Sequence, residues 1–455
     1  MAKFEFKFID LFAGIGGFHQ AMTLFGGKCV FASEIDEECK KQYEKQFRMK
    51  VHGDINNCMK DIPSFDVLCG GFPCQTFSKA GNQEGFEDEV KGKLFYRIVD
   101  ILKAHPECKF LILENVRNLA DQKAFWDVIQ KELRELDFFI TQDPIIESPS
   151  SFGIPQNRER VYILGIKKTL RNTSKLTNGW IHTDDLHLDS FRKPCADGVA
   201  LSPEFIEYGS EKGKTKAIDA KEMAVISAWE YFKKNILPNK QIGSPIWLDF
   251  FGIGYGKDQT EAFYQKCGYY KQLVKAKKKD YEDEKKETLI NKKGYIWELT
   301  PDWKKHFIER NRAMYLEHQS SIDDWYAENE KNLTQKVYRK FEWNCGPNYR
   351  DFKECIIQFR QSGLRIKRPD TFPSLVAIVN TPIIWDKELK LFRRITLREA
   401  ANLQSFRKNY DFVCDERTSY KQLGNSVNVK VIKIIAKQLF DLGIDGWDQL
   451  QEDSK

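Results

Sequence analysis

The fold of this chain is decided by the stretch KFIDLFAGIGG, residues 7–17, in which a short apolar strand runs into a glycine-rich turn. The apolar pattern of residues 18–25 predicts a helix closed by residues 26–27, and residues 29–33 predict a second strand that ends at Glu34. In such a βαβ unit, glycines let the backbone approach a ligand at the helix N-terminus, and an acidic residue after the second strand can bind ribose hydroxyls. Because the third glycine of the dinucleotide fingerprint is missing, the turn alone leaves open a nucleotide-type cofactor site and a plain tight turn.

The alternation of strands and helices continues to about residue 168. Apolar periodicity predicts helices at 37–47 and 94–104 and a buried strand at 110–113. Further strands are predicted within 138–147 and at 160–166. This alternation is typical of an α/β fold with an open sheet, in which the carboxyl ends of neighbouring strands line one crevice.

Two chemically active side chains follow buried strands. Cys74 comes after the apolar run 65–69 and the Gly-Gly-Phe-Pro turn at 70–73, and Glu114 directly follows the strand at 110–113. Each also has a purely structural interpretation, Cys74 as a half-buried thiol and Glu114 as a helix N-cap. Because strand ends of an open sheet share a crevice, the two together predict a nucleophile and an acid in one site.

The composition is that of an ordinary globular chain. Of 455 residues, 41% are hydrophobic and 30% are charged, and the net charge is only +6, so any surface that binds nucleic acid must be local. No apolar run approaches the roughly 18 residues of a membrane span, and the N-terminus lacks a signal-peptide core. The 11 cysteines form no CxxC pair and are odd in number, which favours neither a zinc site nor a disulfide framework. We therefore expect a reduced, cytoplasmic protein without a metal and without membrane contact.

Six motifs, in the order in which they occur, resemble those of the DNA (cytosine-5)-methyltransferases of bacterial restriction–modification systems. The motifs are FIDLFAGIGGF at 8–18, GFPCQ at 71–75, ENV at 114–116, QNRER at 156–160, RQSGLR at 360–365 with RP at 368–369, and GNSV at 424–427. The matches cover about residues 1–168 and 356–440. The resemblance implies a Rossmann-like α/β domain that binds S-adenosylmethionine, together with a second, smaller target-recognition domain.

The resemblance also implies a mechanism. The Cys74 thiolate would attack C6 of a cytosine flipped out of the duplex, which makes C5 nucleophilic toward the methyl group of S-adenosylmethionine. Glu114 would contact N3 and the exocyclic amine, and Arg160 would contact O2. Arg158 alternates with Arg160, shares a face with it if the segment is extended, and would order the catalytic loop or bind a nearby phosphate. The segment from Cys74 to about Lys93 is expected to be a mobile loop that closes over the base.

The same resemblance assigns the pocket for S-adenosylmethionine. The glycine loop would surround its amino-acid end, Glu34 would bind the ribose, apolar side chains would pack on the adenine, and Asp54 would bind the adenine amino group. Ile35 stands where some family members have an aromatic residue, so apolar contact is kept and stacking is lost. The residues assigned to the pocket are Phe12, Gly14, Gly16, Gly17, Glu34, Ile35, Asp54, Ile55, Pro73, Leu94, Asn425 and Val427.

The middle of the chain lacks such motifs and by its position resembles the region of the family that reads bases in the major groove. We expect a catalytic domain of residues 1–168 and 394–455, and a target-recognition domain of residues 169–393 that includes the supporting stretch 356–380. The charged run at 271–284 is explained either as a solvated helix or as a surface that follows DNA phosphates. Double-stranded DNA is the expected substrate, a separate cognate restriction endonuclease the expected partner, and a monomer the expected state.

Three other functions fit the sequence less well. A tRNA cytosine-5 methyltransferase would carry the same motifs, but the long middle segment is typical of recognition regions for duplex DNA. A catalytically inactive DNA-binding regulator would have no need of Cys74, Glu114 and Arg160 together. A nicotinamide oxidoreductase would need the missing glycine and gives Cys74 no role.

Overall fold

A computed structural model of the chain describes residues 6–73, 92–170, 176, 179–238, 242–266, 300–349, 351–375 and 381–444. The predicted nucleophile Cys74, most of the loop that begins with it, and the charged run at 271–284 lie outside the described residues. Within those ranges, no helix is both long enough and apolar enough to cross a membrane.

The strands form a larger sheet, a smaller sheet and a short separate pair. Their bounds are β1 Lys7–Leu11, β2 Lys28–Ser33, β3 Val67–Gly70, β4 Phe110–Val116, β5 Phe138–Thr141, β6 Ile145–Glu147, β7 Gln156–Asn157, β8 Arg160–Lys167, β9 Trp180–Ile181, β10 Ile246–Trp247, β11 Lys340–Asn344, β12 Ile356–Arg360, β13 Gly363–Lys367, β14 Phe372–Pro373, β15 Ile383–Asp386 and β16 Leu391–Arg394.

The helices predicted from periodicity are present, with ends shifted by a few residues at most. The α-helices of the described chain are α1 Gly17–Thr23, α2 Glu37–Phe47, α3 Ile55–Cys58, α4 Gly92–Ala104, α5 Lys123–Glu135, α6 Glu211–Lys214, α7 Ala220–Tyr231, α8 Thr260–Lys266, α9 Asp302–Glu317, α10 Gln319–Asn329, α11 Leu397–Leu403, α12 Glu416–Asn425 and α13 Val429–Gly443.

The larger sheet has the strand order β2-β1-β3-β4-β8-β5-β9, with β6 paired to β8. Strands β2, β1, β3 and β4 run parallel, and β8 is antiparallel to β4. Because the chain crosses from β1 to β2 on one side and places β3 on the other, the carboxyl ends of β1 and β3 mark a topological switch point, where open α/β sheets bind ligands. This order confirms the predicted Rossmann-like α/β fold.

Helices cover both faces of this sheet, which explains why its strands read as continuous apolar runs. Ile98 of α4 and Ile129 of α5 share one core cluster with Leu111 of β4. On the opposite face, the ring of Phe440 in α13 packs edge-on against Phe110, with ring centroids 5.0 Å apart. A helix from the end of the chain therefore completes the core of the N-terminal strands.

The chain divides into two compact units. The first comprises Met1–Glu207, Asp370–Val379 and Ile395–Lys455, and the second comprises Tyr208–Pro369 and Asn380–Arg394. The first unit extends past the expected boundary at 168 because β9 adds to the larger sheet beside β5. Part of the stretch 356–380 also belongs to the first unit, because β14 pairs in parallel with β7.

The second unit has its own sheet, in the order β10-β11-β13-β12-β15-β16, and its own core. Trp229 stacks on Phe341 with ring centroids 5.0 Å apart and planes at 6°. The indole N–H of Trp325 donates to the carbonyl of Ala228 at 2.9 Å, which satisfies the polar atom of a fully buried ring. Trp229, Trp325 and Trp343 thus build the apolar core of this unit, whereas Trp303 is 68% exposed.

Candidate active site

The carboxyl ends of the four parallel strands bring the predicted motifs together. The glycine loop, residues 12–17, follows β1, and Glu34 follows β2. Gly71 to Pro73 follow β3, and Glu114 lies near the end of β4. Four segments that are distant in sequence therefore border one crevice, as parallel strands require.

The glycine loop needs backbone conformations that few side chains permit. Gly14 and Gly16 have φ angles of 53° and 82°, and Phe12 reaches 56° despite its side chain. A β-carbon on Gly14 would meet no heavy atom within 4 Å, so this part of the loop faces open space. A β-carbon on Gly16 would collide with the ring of Phe47, and one on Gly17 would lie 2.6 Å from Cγ2 of Val427. The loop is thus closely packed at Gly16 and Gly17 and open at Gly14, where it leaves room for a ligand.

Glu34 fixes the glycine loop from the neighbouring strand. Its Oε2 accepts a hydrogen bond from the backbone N–H of Gly14 at 2.8 Å. Its Oε1 accepts from the N–H groups of Ile35 and Asp36 at 2.8 and 2.9 Å. The carboxylate keeps further lone pairs, so it can hold the loop and still accept from a hydroxyl.

The other predicted pocket residues differ in exposure. The Ile35 side chain is 72% exposed, an unusual state for a large apolar residue at a strand end, while Leu94 is half-buried. Asp54 caps α3, accepting from the N–H of Asn56 at 3.0 Å. Ile55 is 3% exposed and belongs to the core below the sheet, so its side chain does not line an open surface.

Glu114 and Arg160 form an ion pair inside the sheet. Arg160 Nε donates to Glu114 Oε1 at 2.9 Å, and the side chains are 19% and 10% exposed. Strand β4 continues through Val116, so Glu114 lies within the strand and is not the N-cap of a helix. A β-carbon on Gly71 would lie 3.4 Å from Glu114 Oε2. The carboxylate therefore borders the segment that leads to Cys74.

Asn115 ties the two strand ends together, a role that the sequence analysis did not assign. Its side-chain amide donates to the carbonyl of Phe72 at 3.2 Å, and both residues are buried. Pro73, the next residue, is exposed. Asn115 therefore anchors the segment that precedes Cys74. The sequence feature that could have predicted this role is its position next to Glu114, near the end of a buried strand.

Arg158 does not lie where the sequence analysis expected it. Strand β7 ends at Asn157 and β8 begins at Arg160, so the two arginines are not in one extended segment. The Arg158 side chain is 4% exposed, and its Nη2 donates to the carbonyl of Ser426 at 3.0 Å. Burial, with the nearby Arg160 second, lowers the pKa of Arg158 to about 9. A buried guanidinium with these partners is not placed to bind a phosphate.

The GNSV motif reaches the glycine loop from the C-terminal end of the chain. Asn425 ends α12 and is exposed, whereas Val427 is 7% exposed. Asn428 then caps α13, accepting from the N–H groups of Lys430 and Val431. The motif is therefore a connection between two helices, and it is held against Gly17.

A buried polar network under the glycine loop was missed from the sequence. Tyr43 Oη donates to Asp10 Oδ2 at 3.2 Å and pairs with Nδ1 of His19 at 2.8 Å. Burial raises the pKa of Asp10, and burial lowers the pKa of His19 to about 3. The sequence feature that could have predicted this network is Asp10, an aspartate inside an otherwise apolar strand.

Three described thiols near the sheet of the first unit are less acidic than a free cysteine. Burial raises the pKa of Cys29 and of Cys108 to about 12 and moves that of Cys69 in the same direction. In the described ranges, no three His, Cys, Asp or Glu side chains are grouped closely enough to hold a metal ion.

The chain matches the family model described as C-5 cytosine-specific DNA methylase over residues 6–244 and 249–441. It is 30% identical to the type II methyltransferase M.AluI of Cellulosimicrobium cellulans, over 96% of this chain and 92% of that protein. It is also 30% identical to the type II methyltransferase M.BanI of Aneurinibacillus aneurinilyticus, over 97% of both chains.

Similarity to M.HpaII of Haemophilus parainfluenzae is higher but covers less, with 46% identity over 36% of this chain and 47% of that protein. Among solved structures, the Dnmt2 methyltransferase of S. pombe superposes with a TM-score of 0.51 and 15% identity, over 96% of this chain and 98% of that one. At that identity the superposition supports the fold alone.

Proposed function

The chain belongs to the C-5 cytosine-specific DNA methylase family and is a DNA (cytosine-5)-methyltransferase of the type II restriction–modification kind, and on this premise we propose its methyl donor, mechanism and biological role. It takes the methyl group from S-adenosylmethionine and transfers it to C5 of one cytosine within a specific duplex sequence. The observation that carries this proposal is the Glu114–Arg160 ion pair, which borders the segment that leads to Cys74.

The residues of the crevice suit S-adenosylmethionine. Open space in front of Gly14 leaves room for a ligand, and the Glu34 carboxylate retains acceptor capacity for ribose hydroxyls. The exposed Ile35 offers an apolar surface to an adenine ring, and its burial there would remove an unfavourable contact with water. When bound, S-adenosylmethionine supplies a methyl group on a positively charged sulfur, which is reactive toward a carbon nucleophile.

Cytosine C5 is not nucleophilic enough to accept that methyl group directly. The Cys74 thiolate forms a bond to C6, and the electron pair of the C5–C6 double bond moves into the ring and makes C5 nucleophilic. Glu114 at N3 and the exocyclic amine, with Arg160 at O2, stabilises the charge pushed into the ring. After methyl transfer, water removes the C5 proton, the double bond re-forms, and the thiolate leaves. The cytosine must be flipped out of the duplex, since its C6 is inaccessible in the stack.

We assign recognition of the DNA sequence to the second unit. The crevice motifs hold a cytosine, which is common to every target site and carries no information about the flanking bases. The second unit is a separate folded body with its own sheet, and it lies outside the crevice motifs in sequence. In the cell, we propose, the enzyme works as a monomer and protects host DNA from a separate cognate endonuclease.

Trapping with 5-fluorocytosine tests the chemistry. Duplex DNA that contains it should form a covalent adduct with the wild-type protein when S-adenosylmethionine is present, since fluorine cannot leave as a proton does. Cys74→Ser should form no adduct and should still bind S-adenosylmethionine. Cys195→Ser serves as the matched control and should form the adduct normally. Cys195 is half-buried, and its thiol donates a hydrogen bond to the carbonyl of Ser150.

Two results would contradict the proposal. One is full methylation by Cys74→Ser, which would exclude covalent catalysis through this thiol. The other is methylation of transfer RNA in preference to duplex DNA in a direct competition. Bisulfite sequencing of host DNA with and without the expressed protein identifies the methylated sites.

A further inference from the structure

Arg158 connects three segments that are remote from one another in the sequence. Its Nη1 donates to the carbonyl of Leu375 at 3.1 Å and to Oγ of Ser374 at 3.3 Å. Its Nη2 donates to the carbonyl of Ser426 at 3.0 Å. Its own backbone N–H donates to Oγ of Ser148 at 3.0 Å, which fixes the point where the side chain leaves the backbone. All these residues belong to the first unit.

This guanidinium is costly to bury. Its hydrogen-bond acceptors are a hydroxyl and two carbonyls, and its Nε is buried without a partner. A buried cation whose described hydrogen-bond acceptors are all neutral carries a large desolvation penalty, which the charge of Glu114 offsets only in part. The two arms of the guanidinium reach both the 374–375 segment and Ser426, which a side chain with a single donor does not do.

The segment that Arg158 holds is the one that packs on the glycine loop. A β-carbon on Gly17 would lie 2.6 Å from Cγ2 of Val427 and 2.9 Å from Oγ of Ser426. Ser426 Oγ in turn donates to the carbonyl of Val427 at 3.2 Å. Ser426 and Val427 are therefore packed so closely on Gly17 that no side chain fits between them.

We infer that Arg158 is a positioning residue for the methyl donor: by holding the Ser426 carbonyl, it keeps Val427 against Gly17 and fixes the wall of the donor pocket. The inference rests on the proposed function, because it takes the glycine loop as the site of S-adenosylmethionine. It differs from the expected role of Arg158, which was to order the catalytic loop or bind a DNA phosphate.

Two substitutions in the full-length protein separate the roles. Arg158→Met keeps an unbranched apolar stem and removes every donor, and it should weaken S-adenosylmethionine binding at least tenfold in calorimetry. Arg158→Lys keeps the charge, but one ammonium cannot reach both segments as the guanidinium fork does, so its loss should be smaller. The KM for S-adenosylmethionine should rise in parallel, while the KM for cognate DNA should stay within twofold.

Arg312→Met provides the matched control. Arg312 is 1% exposed and donates only to backbone carbonyls among its described bonds, at Phe251, Gly252, Tyr255 and Gly256 of the second unit. Its loss should lower the melting temperature and leave the affinity of the folded protein for S-adenosylmethionine unchanged. If the Arg158 variants behave in the same way, Arg158 is a structural residue only and the inference is overturned.

A double-variant cycle tests the connection to Gly17 and remains informative if Arg158→Met does not fold. Val427→Ala removes the side chain that contacts Gly17. When Arg158→Lys and Val427→Ala are combined, the loss of donor affinity should be less than the product of the single losses, because both act on one contact. A loss equal to the product would overturn the inference. Failure of the wild-type protein to bind S-adenosylmethionine would instead overturn the proposed function.

Discussion

Gly17 and Val427, from opposite ends of the chain, approach so closely that a β-carbon on Gly17 would lie 2.6 Å from Cγ2 of Val427. The first residue of α1 and the residue before the α13 cap thus depend on each other's size. The glycine loop and the GNSV motif are therefore in direct contact in the first unit, which neither motif indicates by itself.

Gly17→Ala should destabilise the protein and weaken donor binding. The added methyl group overlaps Val427 and Ser426, and overpacking of this kind costs about 1–3 kcal/mol. Urea unfolding and calorimetry with S-adenosylmethionine measure the two effects. Val427→Ala in the same protein should restore part of the lost stability, whereas Gly243→Ala, with no heavy atom within 4 Å, should change little. If Val427→Ala restores none of the lost stability, contact with Val427 is not the reason why a side chain is excluded at Gly17.

Glu34→Ala should weaken S-adenosylmethionine binding at least tenfold, because it removes the acceptor for the N–H of Gly14 as well as the expected ribose contact. Glu34→Gln keeps one acceptor oxygen and should lose less. Affinity for cognate DNA, measured by fluorescence anisotropy, should stay within twofold in both variants. A fall in DNA affinity with donor affinity unchanged would mean that the first βαβ unit has been wrongly assigned.

Glu114→Gln should lower the single-turnover rate of methylation by about 10²-fold or more, because the carboxylate of the Arg160 ion pair is lost where charge develops in the base. Donor affinity should not change. Glu159→Gln is the matched control, because it breaks the ion pair with Arg117 at 3.1 Å between half-exposed side chains. Equal methylation rates in Glu114→Gln and Glu159→Gln would show that Glu114 has no role in the catalytic step.

His19 should make the protein less stable in mild acid. Burial, with Arg407 second, lowers the pKa of His19 from 6.5 to about 3, so only the unfolded chain takes up this proton between those values. The contribution of His19 to the free energy of unfolding is fully present above pH 6.5. It falls by about 1.4 kcal/mol per pH unit as the pH decreases from 6.5 toward 3. Between pH 7.5 and 5.5, wild type should lose about 1.4 kcal/mol more unfolding free energy than His19→Gln in urea titrations. Parallel losses would show that His19 does not carry this dependence.

Exchange of the second unit should move the methylated sequence and keep cytosine-5 chemistry. The segment to exchange is Tyr208–Pro369 with Asn380–Arg394, taken from a relative with another target. Exchange of residues 169–207 alone is the control and should leave the target unchanged, since those residues belong to the first unit. Bisulfite mapping of an active chimera that still methylated the original sites would place recognition elsewhere.

Much of the catalytic unit follows from the sequence because its signals are local. Apolar periodicity predicted β1, β2 and α2 almost to the residue, and glycines predicted the turn at 12–17. Strand β4 was predicted to end at 113 and runs to Val116, because the polar residues Glu114 and Asn115 continue its pairing with β8. The sequence analysis expected Cys74 and Glu114 beside one crevice because the ends of parallel strands meet at one edge of a sheet. Gly71 and Glu114 do lie at that edge, whereas Cys74 is outside the described residues. The family resemblance, carried by short motifs in order, is confirmed by the comparisons with known proteins.

Tertiary packing decided what local signals cannot encode. Arg158 and Arg160 alternate in sequence, but the backbone between β7 and β8 is not a continuous strand, so Arg158 turns inward to Ser426 while Arg160 meets Glu114. The first unit extends past residue 168 because β9 pairs with β5 in the larger sheet, and composition does not encode this pairing. Periodicity reports which face of an element is apolar, whereas the partner of that face is selected by shape and hydrogen bonding between segments far apart in the chain.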